Sequence, residues 1–112
     1  MEVVKYQIVA FKLPSGRRPF MEWLNSLDPS VQDLMELRFQ RIKLGNLGDT
    51  KYLGNGIFEL RFHIRSGYRI YYGKDRQLIV FLRGGNKNTQ TKDIKYAKRY
   101  WFNYVRGKSN AS

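Results

Sequence analysis

Arg61, His63, Arg69, Tyr71, Arg83 and Lys87 are side chains that grip phosphate or move protons, and they fall close together in the second half of the chain. Arg61 and His63 are two residues apart, as are Arg69 and Tyr71. That spacing puts each pair on one face of an extended strand. Guanidinium groups clamp phosphate oxygens through two parallel hydrogen bonds, and such donors act most strongly on the charge that builds in a phosphorane-like transition state. Each residue also has an ordinary use. Arginines on a strand pair with a neighbour such as Glu59, His63 suits a surface, Tyr71 suits a core, and Lys87 suits a loop after Gly84-Gly85.

Other chemistries find less support. His63 is the only histidine, so paired catalytic histidines are excluded, and there is no cysteine for a disulfide or a thiolate metal site. A metal-dependent nuclease needs converging carboxylates, whereas residues 56–112 offer only Glu59, Asp75 and Asp93. No metal and no cofactor are expected. Neither a nucleophile-elbow motif nor a Gly-x-x-x-x-Gly-Lys-Ser/Thr phosphate loop is present.

The net charge of +12 is unevenly placed: residues 1–50 carry a net +1 and residues 51–112 a net +11. A basic half on an aromatic-rich chain suits a polyanion, most often nucleic acid. No run approaches the ~18 apolar residues of a membrane helix, and no secretory h-region opens the chain. The expectation is one soluble, cytoplasmic domain over residues 1–112, with no membrane partner.

The positioning elements follow from the pattern. Residues 3–13 are β-branched and aromatic, read as a strand ended by Pro14 and placed deep in the sheet. Pro19 opens a helix with Phe20, Trp23, Leu24 and Leu27 on one stripe. Asp28-Pro29 starts a second helix, Asp28 capping it and Val31, Leu34, Met35, Arg38 and Ile42 along one side, closed by Gly45. Residues 45–56, rich in glycine, read as a loop. A three-stranded meander follows over 57–64, 68–73 and 77–83, with turns at Arg65-Ser66-Gly67 and Gly73-Lys74-Asp75-Arg76. In its first strand Phe58, Leu60, Phe62 and Ile64 alternate with Glu59, Arg61, His63 and Arg65, giving one oily face to seat the helices and one cationic face. Arg83 and Lys87 then point into the same concavity as Arg61 and Arg69. Gly84 to Asn88 break the last strand, and Thr91 caps a final helix with Asp93 in its first turn and Ile94, Ala97, Tyr100, Trp101, Tyr104 and Val105 as its apolar side. Residues 107–112 read as a frayed tail. The order β-α-α-β-β-β-α is an α+β architecture.

The runs Phe-Glu-Leu-Arg (58–61), Ser-Gly-Tyr-Arg-Ile-Tyr-Tyr (66–72) and Leu-Arg-Gly-Gly-Asn-Lys-Asn-Thr-Gln (82–90), before Asp93-Ile94 and Ala97, resemble the RelE/ParE superfamily of type II toxin–antitoxin toxins. The likeness is to the phage-derived, HigB-like branch called addiction module killer proteins, and it covers nearly the whole chain. It implies the RelE-like fold, with an antiparallel meander and helices packed on it. It also implies a ribosome-dependent mRNA endonuclease in which the RNA's own 2′-hydroxyl attacks the adjacent phosphate. Its partners would be the ribosome, mRNA and a cognate antitoxin, often a helix-turn-helix protein. Position by position, Arg61, Arg69 and Lys87 match the family's basic residues. Arg65, Arg83, Lys74 and Arg76 are further candidate RNA contacts. Some RelE-like toxins carry two lysines where this chain has Glu59 and Arg61, and a tyrosine after the position of Lys87. The acid and base therefore stay open among Glu59, His63 and Tyr71. Two alternatives share the fold: a ParE-like inhibitor of DNA gyrase and a non-catalytic nucleic-acid-binding module.

Overall fold

The computed structural model describes residues 5–65 and 67–110; the expectations for residues 3–4, for Ser66 in its turn and for the tail at 111–112 lie outside them. A five-stranded sheet runs in the order β1-β5-β4-β3-β2. Its strands are β1 (Gln7–Ala10), β2 (Thr50–Gly54), β3 (Ile57–Phe62), β4 (Tyr68–Asp75) and β5 (Leu78–Asn86). The helices are α1 (Pro19–Asn25), α2 (Pro29–Lys43) and α3 (Gln90–Asn110), the last preceded by a 3₁₀ turn at Lys87–Thr89. The α+β class holds, with one strand more than the sequence suggested.

That strand is β2, inside the stretch read as a loop. Its glycines sit at the ends, where Gly48, Gly54 and Gly56 take positive φ, while Thr50, Lys51 and Tyr52 pair with Leu60, Glu59 and Phe58. The first strand is also placed differently. β1 is short and lies on the sheet's edge, parallel to β5, with Gln7 beside Leu78 and Ala10 beside Phe81. β5 runs on through Gly84-Gly85-Asn86 rather than stopping at Arg83, because the two glycines leave room for Trp23 on one side and for Asp93 on the other. The turn between β4 and β5 falls later than expected, at Arg76-Gln77.

Both faces of the sheet are covered, which corrects the picture of one oily and one cationic face. On the first, Phe20 of α1 and Val31, Met35, Phe39 and Ile42 of α2 pack on Leu60, Phe62, Ile70, Tyr72, Ile79 and Phe81. On the second, Ala97 and Tyr100 of α3 pack with Phe11, Ile57, Tyr71, Val80 and Leu82. Thus α3 does not share the face of the α1–α2 hairpin; it takes the opposite one. On α2 the inner stripe includes Phe39, whereas Leu34 is half exposed. Arg38 leaves the stripe to donate to the main-chain oxygens of Arg61, Leu47 and Asp49. Pro19 and Pro29 do open their helices, and Gly45 follows α2 at φ +101. The Asp28 carboxylate caps nothing, however, and binds Arg65 instead. Thr91 is not a cap either: Asn86 caps the turn ahead of α3, accepting from Asn88 N at 2.8 Å. The helix continues to Asn110, past Gly107 where the sequence reading begins the tail.

The α3 face carries buried phenols. Burial pushes the Tyr71 hydroxyl, which has no hydrogen-bond partner among the described residues, well above the ordinary tyrosine range. Burial also raises Tyr72 on the other face, and raises Tyr104 to about 12 with help from the Asp75 carboxylate. The folded chain thus keeps protons that the unfolded chain loses near pH ~10, so stability is full below that value and falls as pH rises through the folded values. Absorbance of phenolate should show a late phase coincident with loss of circular dichroism. Tyr71→Phe should shrink that phase without loss of stability, because it removes only an unpaired buried hydroxyl. A late phase of unchanged size in Tyr71→Phe would contradict this.

Candidate functional site

In the antiparallel pairing of β3 with β4, Arg61 lies opposite Arg69 and Glu59 opposite Tyr71. All four belong to the α3 face. The helix covers that face only in part: Trp101 lies tight against Gly56 and Gly73 near one end of β3, and Gln90, the first residue of α3, reaches Glu59. Beyond Gln90 the sheet is uncovered. There Arg61 and Arg69 emerge with side chains 34% and 16% exposed.

Glu59 organises them. Its carboxylate is 1% exposed, and Oε1 lies 2.6 Å from Arg61 Nε and 3.4 Å from Arg69 Nε, while Oε2 accepts from Gln90 Nε2 at 2.9 Å. The hydrogen bond to Glu59, then its charge, hold the Arg61 guanidinium above its ordinary value, so it stays charged. Arg69 also donates to the Gly67 carbonyl at 3.1 Å. Arg61 is hydrogen-bonded through Nε and Arg69 through Nη1, with Arg69 Nε near the carboxylate but not hydrogen-bonded to it, and both keep other nitrogens for a ligand.

Arg61 and Arg69 line a depression of ≈ 350 Å³ together with His63, Arg65 and Lys87, and Phe62 and Gly67 complete its wall. Lys87 arrives there because β5 runs on to Asn86, opposite Tyr68, and the capped turn begins at the next residue. Arg65 is held by Asp28 at 2.7 Å across from the helix hairpin. His63 is 82% exposed, and its Nε2 lies 2.7 Å from Asp49 Oδ2. That hydrogen bond is the main cause holding the Asp49 carboxyl below the usual range. Asp49 is itself anchored, its main-chain oxygen accepting from Arg61 N at 3.0 Å and from Arg38 Nη2 at 2.7 Å.

Of the residues singled out in the sequence, Arg61, His63, Arg65, Arg69 and Lys87 are thus brought together, and four are not. Tyr71 is fully buried beneath α3, out of the depression. Arg83 shares the face of Arg61 and Arg69 but lies where α3 covers it: a bulge leaves Leu82 without a partner on β4, so that Tyr71 pairs with Arg83 and Tyr72 with Phe81. An extra residue of this kind re-aims the side chains that follow it. Arg83 therefore points to α3, with Nε 2.6 Å from Asp93 Oδ1 and its guanidinium 4.3 Å from the Tyr96 ring. Lys74 and Arg76 lie at the other end of β4, Lys74 over the rings of Phe58 and Tyr6. The sequence reading missed Asp49, Gln90 and Arg38 as parts of the site. For Arg38 the signal was present, a charged residue within an apolar stripe. Asp49 and Gln90 had none.

Among the described residues no group of three or more His, Cys, Asp or Glu is placed to hold a metal ion, and no helix is long and apolar enough to cross a membrane. No solved structure matches the chain at a significant level. An uncharacterized protein of Haemophilus influenzae is 42% identical over 81 residues, covering 70% of this chain and 82% of that protein. Residues 22–100, which run from within α1 to the middle of α3 and include every residue of the depression, match the family model "Phage derived protein Gp49-like (DUF891)". The chain belongs to this Gp49-like family of phage-derived proteins.

Proposed function

We propose that the protein is the toxin of a type II toxin–antitoxin pair and that it cleaves messenger RNA on the ribosome, with the RNA's own 2′-hydroxyl as nucleophile. The observation that carries this reading is the pair Arg61 and Arg69, gathered around one buried carboxylate that hydrogen-bonds Arg61 and ion-pairs with Arg69, and presented beside Lys87 at the uncovered end of the sheet. Held cations waste little of their interaction on becoming ordered, so they favour the transition state over loosely bound substrate. The phosphate of a bent RNA strand would sit between the arginines, with Lys87 and Arg65 on neighbouring phosphates. The RNA supplies the nucleophile, so no activated serine or metal-bound water is required of the protein. The ribosome supplies positioning, and the excess charge of residues 51–112 suits both rRNA and an acidic, cytoplasmic antitoxin.

Induced expression followed by mapping of new 5′ ends tests the reading. Cuts should fall within translated messages, while plasmid supercoiling stays normal. Equal cutting of naked and translated mRNA would remove the ribosome from the scheme. Relaxed plasmid without new RNA ends would instead identify a gyrase inhibitor.

A further inference from the structure

The phosphate clamp leaves the movement of protons unexplained, and burial sorts the groups able to perform it. Glu59 is enclosed, with one oxygen on Arg61 and Arg69 and the other on Gln90. Tyr71 is enclosed beneath α3. His63 alone of the three lines the depression beside Arg61, Arg65, Arg69 and Lys87, and it meets a carboxylate from a different segment, Asp49. Asp49 is not a drifting surface acid. Arg38 reaches from α2 to hold the Asp49, Leu47 and Arg61 carbonyls together, stacked at 4.6 Å on the Phe62 ring.

Resting on the nuclease reading above, we propose that His63 is the general base of the cleavage and that Asp49 is its positioning residue. A carboxylate on Nε2 fixes the imidazole proton there and leaves Nδ1 as the acceptor. The step is then balanced. The 2′-hydroxyl gives its proton to His63 Nδ1 as the O2′–P bond forms, and the P–O5′ bond breaks with its electron pair on O5′. The departing oxygen takes a proton from solvent, and the imidazolium returns its own to solvent. The products are a 2′,3′-cyclic phosphate and a 5′-hydroxyl, with no oxidant or co-reactant. The surface of His63 becomes enclosed when RNA and ribosome close over the depression.

Single-turnover cleavage of a reporter message on translating ribosomes, with the full chain, is the test. His63→Ala should lower the rate about 10²-fold, and added imidazole should restore part of it. Asp49→Asn should lower the rate about tenfold with KM unchanged, the measure of a base held less well. In the His63→Ala background Asp49→Asn should have no further effect, since a residue that acts only through another adds nothing once that other is gone. A full rate in His63→Ala, no rescue by imidazole, or a further loss from Asp49→Asn in that background would each overturn the proposal. Lys87→Ala separates it from the reading beneath: loss of cleavage there with His63→Ala intact keeps the nuclease and removes the base, intact cleavage in both removes the depression as the cleavage site, and no cleavage by the parent chain removes the nuclease.

Discussion

Alanine at Arg61, Arg69 and Lys87 together should lower message cleavage by at least about a thousandfold, since removing one donor to a developing oxyanion typically costs 10² to 10³, and growth inhibition should disappear with it. The three positions do not carry equal structural risk. Lys87 is exposed and has no ion-pair partner among the described residues, so its loss touches binding alone. Losing both arginines strands Glu59, a carboxylate 1% exposed, with only Gln90 beside it. Arg61→Lys and Arg69→Lys are therefore the informative companions. Lysine keeps a cation near Glu59 but lacks the planar fork that grips two phosphate oxygens at once. Each lysine variant should melt near the parent temperature and still lose roughly 10- to 100-fold in rate, part of a full donor's worth. Growth inhibition that survives the triple variant with its fold intact would remove the phosphate clamp and favour the gyrase reading.

Glu59→Ala should be the most destabilising single change at the site. Removing one member of a buried ion pair costs about 3–5 kcal/mol when the other charge is trapped. Arg61 is one-third exposed and can relax into water, so the lower end, about 3 kcal/mol, applies here. For a chain of this size that lowers Tm by about 10 °C. Glu59→Gln should fall between, because one oxygen can still accept from an arginine while the new amide faces the amide of Gln90. Thermal denaturation followed by circular dichroism decides it. A Glu59→Ala melt within about 2 °C of the parent would mean that the carboxylate is not what holds the two arginines.

Much of the frame was legible because local rules and tertiary packing agree. The alternation from Phe58 to Phe62 places Leu60 and Phe62 in the core and aligns Arg61 with Arg69, and the proline-opened helices begin where their residues say. Other features depend on partners remote in sequence. Glu59 between Phe58 and Leu60 has the pattern of a solvent-facing residue; it is buried among Arg61, Arg69 and Gln90, the last two on other elements. The two-sided core did have a signal. The continuous apolar run Leu78 to Leu82 is what a strand covered on both faces carries, in contrast to the alternation of β3. β2 was hidden by the glycines that flank it. The fate of Arg83 was not readable, since a one-residue bulge at Leu82 sets the side on which it falls and the Asp93 and Tyr96 that hold it there belong to α3.

The parallel pairing of β1 with β5 bears on when the site can be completed. Gln7 meets Leu78, so the first strand to leave the ribosome waits for the fifth, and such distant pairings are slow to close. Gln90, which steadies Glu59, emerges later still, followed by the apolar side of α3 that covers Tyr71. A chain grows from its N-terminus, and elements fold as their partners become available. A nascent or prematurely ended chain therefore carries Arg61 and Arg69 without the lid residue that fixes their anchor. On the nuclease reading proposed above, cleavage is expected only from a chain long enough to include Gln90 and α3.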